Sequence, residues 1–482
     1  MEFVNHTPFP ALAFAGLDQF SQSFQVVALR QTFTWGDTGE LEHAEDQAPL
    51  CESDDYFGAS LQGSVRQESD LCPYKPRCDV IVNATAYPPR RPDGSALGRF
   101  DIQLVVSHPG SPAPLPLEPQ GLNPLMPASP EQMQAWRREV ELARKTLMPG
   151  QRLIDKTLTV TGERQFTKRA SLLRLVAALV RVGTLGIVRL PAWRLTAPQP
   201  ASVVPVRLER AFGGECRIEA DSQAADRVSK RYRLTQEQAD GHPDAPCPPA
   251  AHDAYQPNPA GLGFVRNWYL EASGANSVPA AQIEYPERPV ALEHFNRVRA
   301  GELGWDVPVA GLGVRPKGHP ERAKLVGTVD REFIEGDAPL PRDFDFAVWN
   351  AAWPDQQVDS LQGDELVELT NLCAPETPGV QVDAQGNSVL RLQLKPMQCM
   401  LAVRMESGFM FLHPMKIDTL LLEPEQRRLT LVWRAVLGDV EPIRKVEAQL
   451  FGANEQAFMD QIATVTKQRM AGQHAHQGEG GW

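Results

Sequence analysis

The sequence predicts a mainly β protein, with antiparallel strands in sandwich- or barrel-like lobes and a few inserted helices. Three observations carry this prediction. Pro and Gly number 42 and 36 among 482 residues, a turn density that argues against a long-helix bundle. Short stretches rich in β-branched and aromatic residues recur near both ends of the chain, each bounded by turn residues. Stretches with helix composition and no breaker are few. Helix content should therefore fall below that of an average globular protein, about a third of residues.

Taken in order, the first strand is Ser23–Trp35 (SFQVVALRQTFTW), which breaks at Gly36-Asp37. Residues 79–87 (DVIVNATAY) follow and stop at Pro88-Pro89. Arg99–Ser107 (RFDIQLVVS) comes next and ends before a Pro-rich stretch, and residues 153–161 form a fourth strand. A helix is expected near 130–148, because Ser129 can cap it and Pro130 suits its first turn. Its apolar face is thin, which places it outside the core. A second helix is expected near 168–190, apolar almost all round apart from Arg174 and Arg181. Residues 205–210 read as a strand ending at Gly213-Gly214, where two glycines permit positive φ. Residues 388–394, 400–405, 409–415, 416–422 and 427–433 read as one meander of antiparallel strands. These elements predict an N-terminal β-rich lobe (1–237), a Pro-rich loop (238–263), a C-terminal β-rich lobe (264–452), and a short helix with a disordered tail (453–482).

Charge and cysteine usage narrow the function. The formal charge is −12, so an acidic surface repels phosphate backbones and nucleic acid is not an expected partner. Seven cysteines are spread along the chain, which fits a reducing compartment. The start, Met1-Glu2-Phe3-Val4-Asn5, shows no basic and apolar leader pattern. The longest apolar run is broken by Arg174 and Arg181 and falls short of a membrane span. The expectation is a soluble cytoplasmic protein.

Searches for chemistry return no active site. There is no GxSxG elbow, HExxH pair or Walker-type loop. His242, Cys247 and His252 share a loop without paired-ligand spacing, so no metal is expected there. Cys72 and Cys78 flank a Pro-rich turn and read as strand-edge cysteines. Carboxylate pairs such as Asp54-Asp55 and Asp364-Glu365 read as solvated surface. No cofactor is implied. The clusters that remain are polar residues among aromatics and turns: residues 68–76 around Lys75, in which a carboxylate and the lysine could form a fixed ion pair; residues 209–214, with Arg210 and Phe212; and residues 344–357, with Trp353. For each cluster, loop architecture is the plainer reading and partner contact the sharper one.

These clusters, in this order, resemble one family, the domain of unknown function 2169, which is found in type VI secretion gene clusters. The matching stretches are 5–9 (NHTPF), 28–33 (ALRQTF), 68–75 (ESDLCPYK), Asp79-Val80, 207–214 (RLERAFGG), 258–264 (NPAGLGF), 282–284 (QIE), 344–357 and 361–365 (LQGDE). The ordered series covers about residues 1–375. Residues 109–149 and 168–191 look like additions to the pattern. The resemblance implies a non-enzymatic adaptor or chaperone that binds a type VI effector, or its PAAR-type tip region, and promotes its loading on the VgrG spike. It supplies no catalytic residues.

A loader of this kind needs an extended groove or an exposed sheet edge, with aromatic, Met and Arg anchors. The hairpin 405–415 (MESGFMFLHPM) has such side chains in Phe409, Met410 and Phe411. Together with Arg210, Phe212 and Trp353, these are the candidate partner-binding residues. Two other classes stand beside this reading: a carbohydrate- or peptidoglycan-active hydrolase on a β scaffold, and a structural component of the secretion apparatus.

Overall fold

The computed structural model describes residues 1–58, 63–119, 129–169, 192–235, 237–238, 248–302, 307–438 and 441–452. The expected apolar helix near 168–190 lies outside these residues, apart from its first two positions. So do residues 239–247 of the Pro-rich loop, with His242 and Cys247, and the expected tail helix. Strand accounts for 38% and helix for 16%, so the chain is strand-rich as its turn density predicts.

Three sheets dominate. A seven-stranded sheet runs in the order Ala11–Leu17, Ser23–Trp35, Arg428–Gly438, Lys416–Glu423, Cys78–Val82, Gln357–Val358, with Leu41–His43 also paired to Ser23–Trp35. All of its pairings are antiparallel except Cys78–Val82 with Lys416–Glu423. A six-stranded antiparallel sheet runs Ile283–Glu284, Arg152–Thr161, Arg99–Ser107, Leu366–Thr370, Ser388–Gln393, Val380–Val382. A four-stranded sheet runs Glu2–Asn5, Ile443–Gly452, Met397–Met405, Met410–Pro414. Each of the three therefore takes strands from both sides of residues 238–263. Among the described residues no sheet closes into a barrel.

The patterning explains the placement. In Arg99–Ser107 the residues Phe100, Ile102, Leu104 and Val106 are buried, alternating with more exposed ones, as a strand with one covered face requires. These side chains meet Val27 and Leu29 of the seven-stranded sheet and Leu401 and Val446 of the four-stranded sheet in one apolar core. A second core gathers Phe166, Phe212, Tyr255, Trp268 and Phe295. It is flanked by two helices, Asn267–Ser273 and Leu292–Ala300.

Some sequence expectations are corrected here. The five C-terminal strands are not one meander. Met397–Met405 and Met410–Pro414 form a hairpin of the four-stranded sheet, while Lys416–Glu423 and Arg428–Gly438 form a hairpin of the seven-stranded sheet. Buried Met415 lies between the hairpins, where the chain changes sheet. Residues 205–210 are not a strand either: Val204–Pro205 pairs briefly with Thr85–Ala86, and Leu208–Arg210 is a 3-10 turn. Ser129 caps the helix Pro130–Lys145 through a reciprocal bond with Gln132, and none of the described side chains on that helix is buried. Among the described residues no helix is long and apolar enough to cross a membrane.

Candidate functional site

Of the segments that carry the family resemblance, residues 28–33, 68–75, 79–80 and 344–357 meet at the seven-stranded sheet. Arg30, Val432, Thr419 and Asp79 stand in one row across four adjacent strands. Residues 68–75 lie over this row and clasp it. Asp70 meets the Arg30 guanidinium at 2.7 Å. Lys75 Nζ donates to Asp79 Oδ2 at 2.9 Å and to Thr419 Oγ1 at 2.8 Å. The lysine thus pairs forward with Asp79 and not with Glu68 or Asp70, which corrects the ion pair expected within this segment. Burial is the largest single influence and works to lower the Lys75 pKa, but the Asp79 charge, joined by neighbouring negative groups including Asp418 and by the hydrogen bond to Asp79, holds the ammonium well above its usual range.

Asp79 is fully buried and organises a second motif. Its oxygens accept Asn350 Nδ2 at 3.0 Å and the backbone N–H groups of Ala351 at 2.8 Å and Ala352 at 3.2 Å. One carboxylate therefore fixes the turn between Asn350 and Trp353 against the sheet. Further along, Gln356 donates to the carbonyls of Val80 and Leu312, both at 2.8 Å. Its Oε1 accepts Lys156 Nζ at 2.9 Å, and the same amine reaches Asp355 Oδ1 at 2.8 Å. Burial pushes the Lys156 amine down to about 8 against the opposing pull of Asp355.

Residues 207–214 and 258–264 form another unit. Buried Asn258 donates to the carbonyls of Leu208 at 2.9 Å and Phe212 at 3.0 Å. Gly213 has φ +156°, and a Cβ there would stand 2.0 Å from the Asn258 carbonyl oxygen. The glycine is required by close backbone approach. These motifs hold the fold together through buried polar bonds.

The candidate partner-binding residues separate into two groups. Phe212 is buried against Tyr255, with ring centroids 5.0 Å apart. Trp353 is buried beside His319 and Lys156, and its indole N–H has no acceptor among the described residues. Both serve as internal packing. Arg210 is exposed and bonds Gln282 Oε1 at 3.1 Å. Phe409 and Phe411 stack at 6.0 Å and rest on the large core, while Met410 points out at 53% exposure. Met410–Pro414 ends its sheet, with no strand on its outer side among the described residues.

A second sheet edge was not anticipated. Ala11–Leu17 (ALAFAGL) ends the seven-stranded sheet and pairs with Ser23–Trp35 without a register shift. It holds no charged residue and no proline, the devices that protect most edge strands. Leu12, Leu17 and Phe20 are exposed at 40%, 49% and 67%. The Phe24 ring lies over Gly16, 2.6 Å from where a Cβ would sit, and extends the apolar surface. Seven small and apolar residues near the start show no alternation of polar with apolar and give no sign that one side stays unpaired.

Among the described residues, His108, Asp364 and Glu365 bring ligand-type atoms within 4.8 Å of one another. Both Glu365 oxygens already accept backbone N–H groups, from Gln362 at 2.5 Å and Gly363 at 3.0 Å, so this carboxylate serves as a clasp for its own turn. Six described cysteines are buried and in no disulfide, Cys72 and Cys78 among them. His252 contacts Glu215 at 3.0 Å.

The family model for uncharacterised bacterial proteins of DUF2169 matches residues 21–108 and 127–434. The chain belongs to that family. Its break at 109–126 covers only the first part of the segment 109–149 read as an addition; residues 127–149, with the helix Pro130–Lys145, and residues 168–191 lie inside the match, against expectation. Comparisons with curated proteins and with solved structures found no match.

Proposed function

We propose that this chain is a non-enzymatic adaptor or chaperone of a type VI secretion system. It binds an effector, or its PAAR-type tip region, and promotes loading on the VgrG spike. The observation that supports this reading is the pair of largely apolar strands, Ala11–Leu17 and Met410–Pro414, that end their sheets with no further strand on the outer side among the described residues. An extended cargo segment adding to such an edge gains main-chain hydrogen bonds, and the neighbouring Leu12, Phe20 or Met410 selects its side chains. A shielded cargo would otherwise expose the same kind of apolar surface and aggregate. The test is co-expression with a candidate type VI effector, followed by gel filtration. A stable complex, and cargo that is soluble only when co-expressed, support the adaptor. Cargo equally soluble alone and no complex reject it.

A further inference from the structure

A cleft of about 600 Å3 opens beside the second core, within the size range of ligand sites. Three guanidinium groups line it. Arg231 comes from the 3-10 turn Lys230–Tyr232, Arg266 from the residue before the helix Asn267–Ser273, and Arg299 from the last turn of Leu292–Ala300. Asp253 and Glu271 are the carboxylates there.

The arginines are unequally satisfied. Arg266 gives Nε to Asp253 Oδ2 at 2.6 Å and Nη1 to the Val298 carbonyl at 2.7 Å. Arg299 gives Nε to Asn296 Oδ1 at 3.1 Å and Nη1 to Asn267 Oδ1 at 2.7 Å, and both of these acceptors are neutral. Arg231 places its guanidinium 4.5 Å from the centroid of the Tyr232 ring, which is stacked with Trp268 at 6.0 Å. Among the described residues, neither Arg231 nor Arg299 has a carboxylate within 4.0 Å. Partial burial opposes the charge on Arg299, but a guanidinium stays protonated. The cleft therefore holds a partly desolvated cation without a counter-ion. Three arginines against two carboxylates leave one excess positive charge, in a chain whose net charge is −12.

We propose that this cleft binds one carboxylate of an acidic peptide segment, held by Arg231 and Arg299, with an adjoining apolar side chain against Tyr232 and Trp268. The inference rests on the protein-binding reading and names the chemistry of one contact within it. The single excess charge suits a carboxylate, while Asp253 and Glu271 stand against a dianionic phosphate.

The test uses the full chain and fluorescein-labelled hexapeptides, acetylated and amidated, with one central Asp flanked by Ala, Leu or Phe. Asn counterparts serve as controls, and anisotropy reads the binding. At least one Asp peptide should bind about tenfold more tightly than its Asn partner. Arg231→Ala, which alters an exposed side chain, and Arg299→Gln should each weaken it about fivefold or more. Equal binding of Asp and Asn peptides throughout would overturn the proposal, as would unchanged affinity in Arg231→Ala. Inorganic phosphate competing as well as an unlabelled Asp peptide would also overturn it, since the cleft would then take any anion. Asp discrimination without cargo capture sinks the adaptor and keeps the cleft; cargo capture without discrimination sinks the cleft alone.

Discussion

Arg322 and Glu68, 254 positions apart, form a two-pronged ion pair: Nη1 and Nη2 each stand 2.6 Å from a Glu68 oxygen. The arginine is fully buried and also donates to the carbonyls of Arg315 at 2.6 Å and Val348 at 2.8 Å. It joins the 68–75 clasp to the short helix Pro320–Ala323 and the 3-10 turn Phe346–Trp349. Glu68→Ala leaves this cation uncompensated and should cost about 3–5 kcal/mol. Replacing both partners, Glu68→Leu with Arg322→Met, should recover part of that loss. Chemical denaturation of the three variants checks it, and a Glu68→Ala midpoint equal to wild type contradicts the account.

Asp79 satisfies Lys75 and three donors of residues 350–352 at once. Asp79→Ala should therefore unfold the clasp more severely than Lys75→Met, which removes only one buried charge. Thermal melts order the two variants. A milder effect from Asp79→Ala would show that the 350–352 turn holds without it.

Lys156 gives a pH signature. Its folded pKa is about 8, below the ordinary 10.5, so between these values the unfolded chain binds more protons than the folded one. Stability relative to Lys156→Met should rise with pH across that window, by up to about 3 kcal/mol, and stay level below pH 8. Parallel urea titrations at pH 7, 8, 9 and 10 read the difference. A constant offset would mean that the amine titrates normally.

Gly213→Ala should be strongly destabilising, because its Cβ would stand 2.0 Å from the Asn258 carbonyl oxygen. The strained backbone alone costs about 1–3 kcal/mol. Gly274→Ala is the control. It shares a positive φ of +74° but meets nothing within 4 Å. The melting temperature should fall further for Gly213→Ala.

Local composition made the strands legible. Ser23–Trp35 and Arg99–Ser107 match their expected bounds, because β-branched runs ending in turn residues leave little choice. Sheet membership was not legible. The switch at Met415 depends on partners that are distant in sequence, and no local pattern records it. The helices Asn267–Ser273 and Leu292–Ala300 were missed because they begin after Arg266 and Ala291, neither of which makes a side-chain cap bond, so the usual start signal is absent. Among the candidate residues, Phe212 and Trp353 read the same on paper whether they fill a core or face a partner; only burial separates them from Met410. The arginine cleft was invisible because its three cations come from segments brought together by the second core.

The most direct measurement concerns the apolar edge. Ala15→Lys with Leu17→Lys places two charges on exposed positions of Ala11–Leu17, where substitutions usually alter stability by about 0.5 kcal/mol or less. In co-expression with the effector, the account predicts an unchanged melting temperature and loss of the co-eluting complex. Full-strength capture by this well-folded variant, and by Met410→Lys beside it, would show that neither sheet edge grips the cargo.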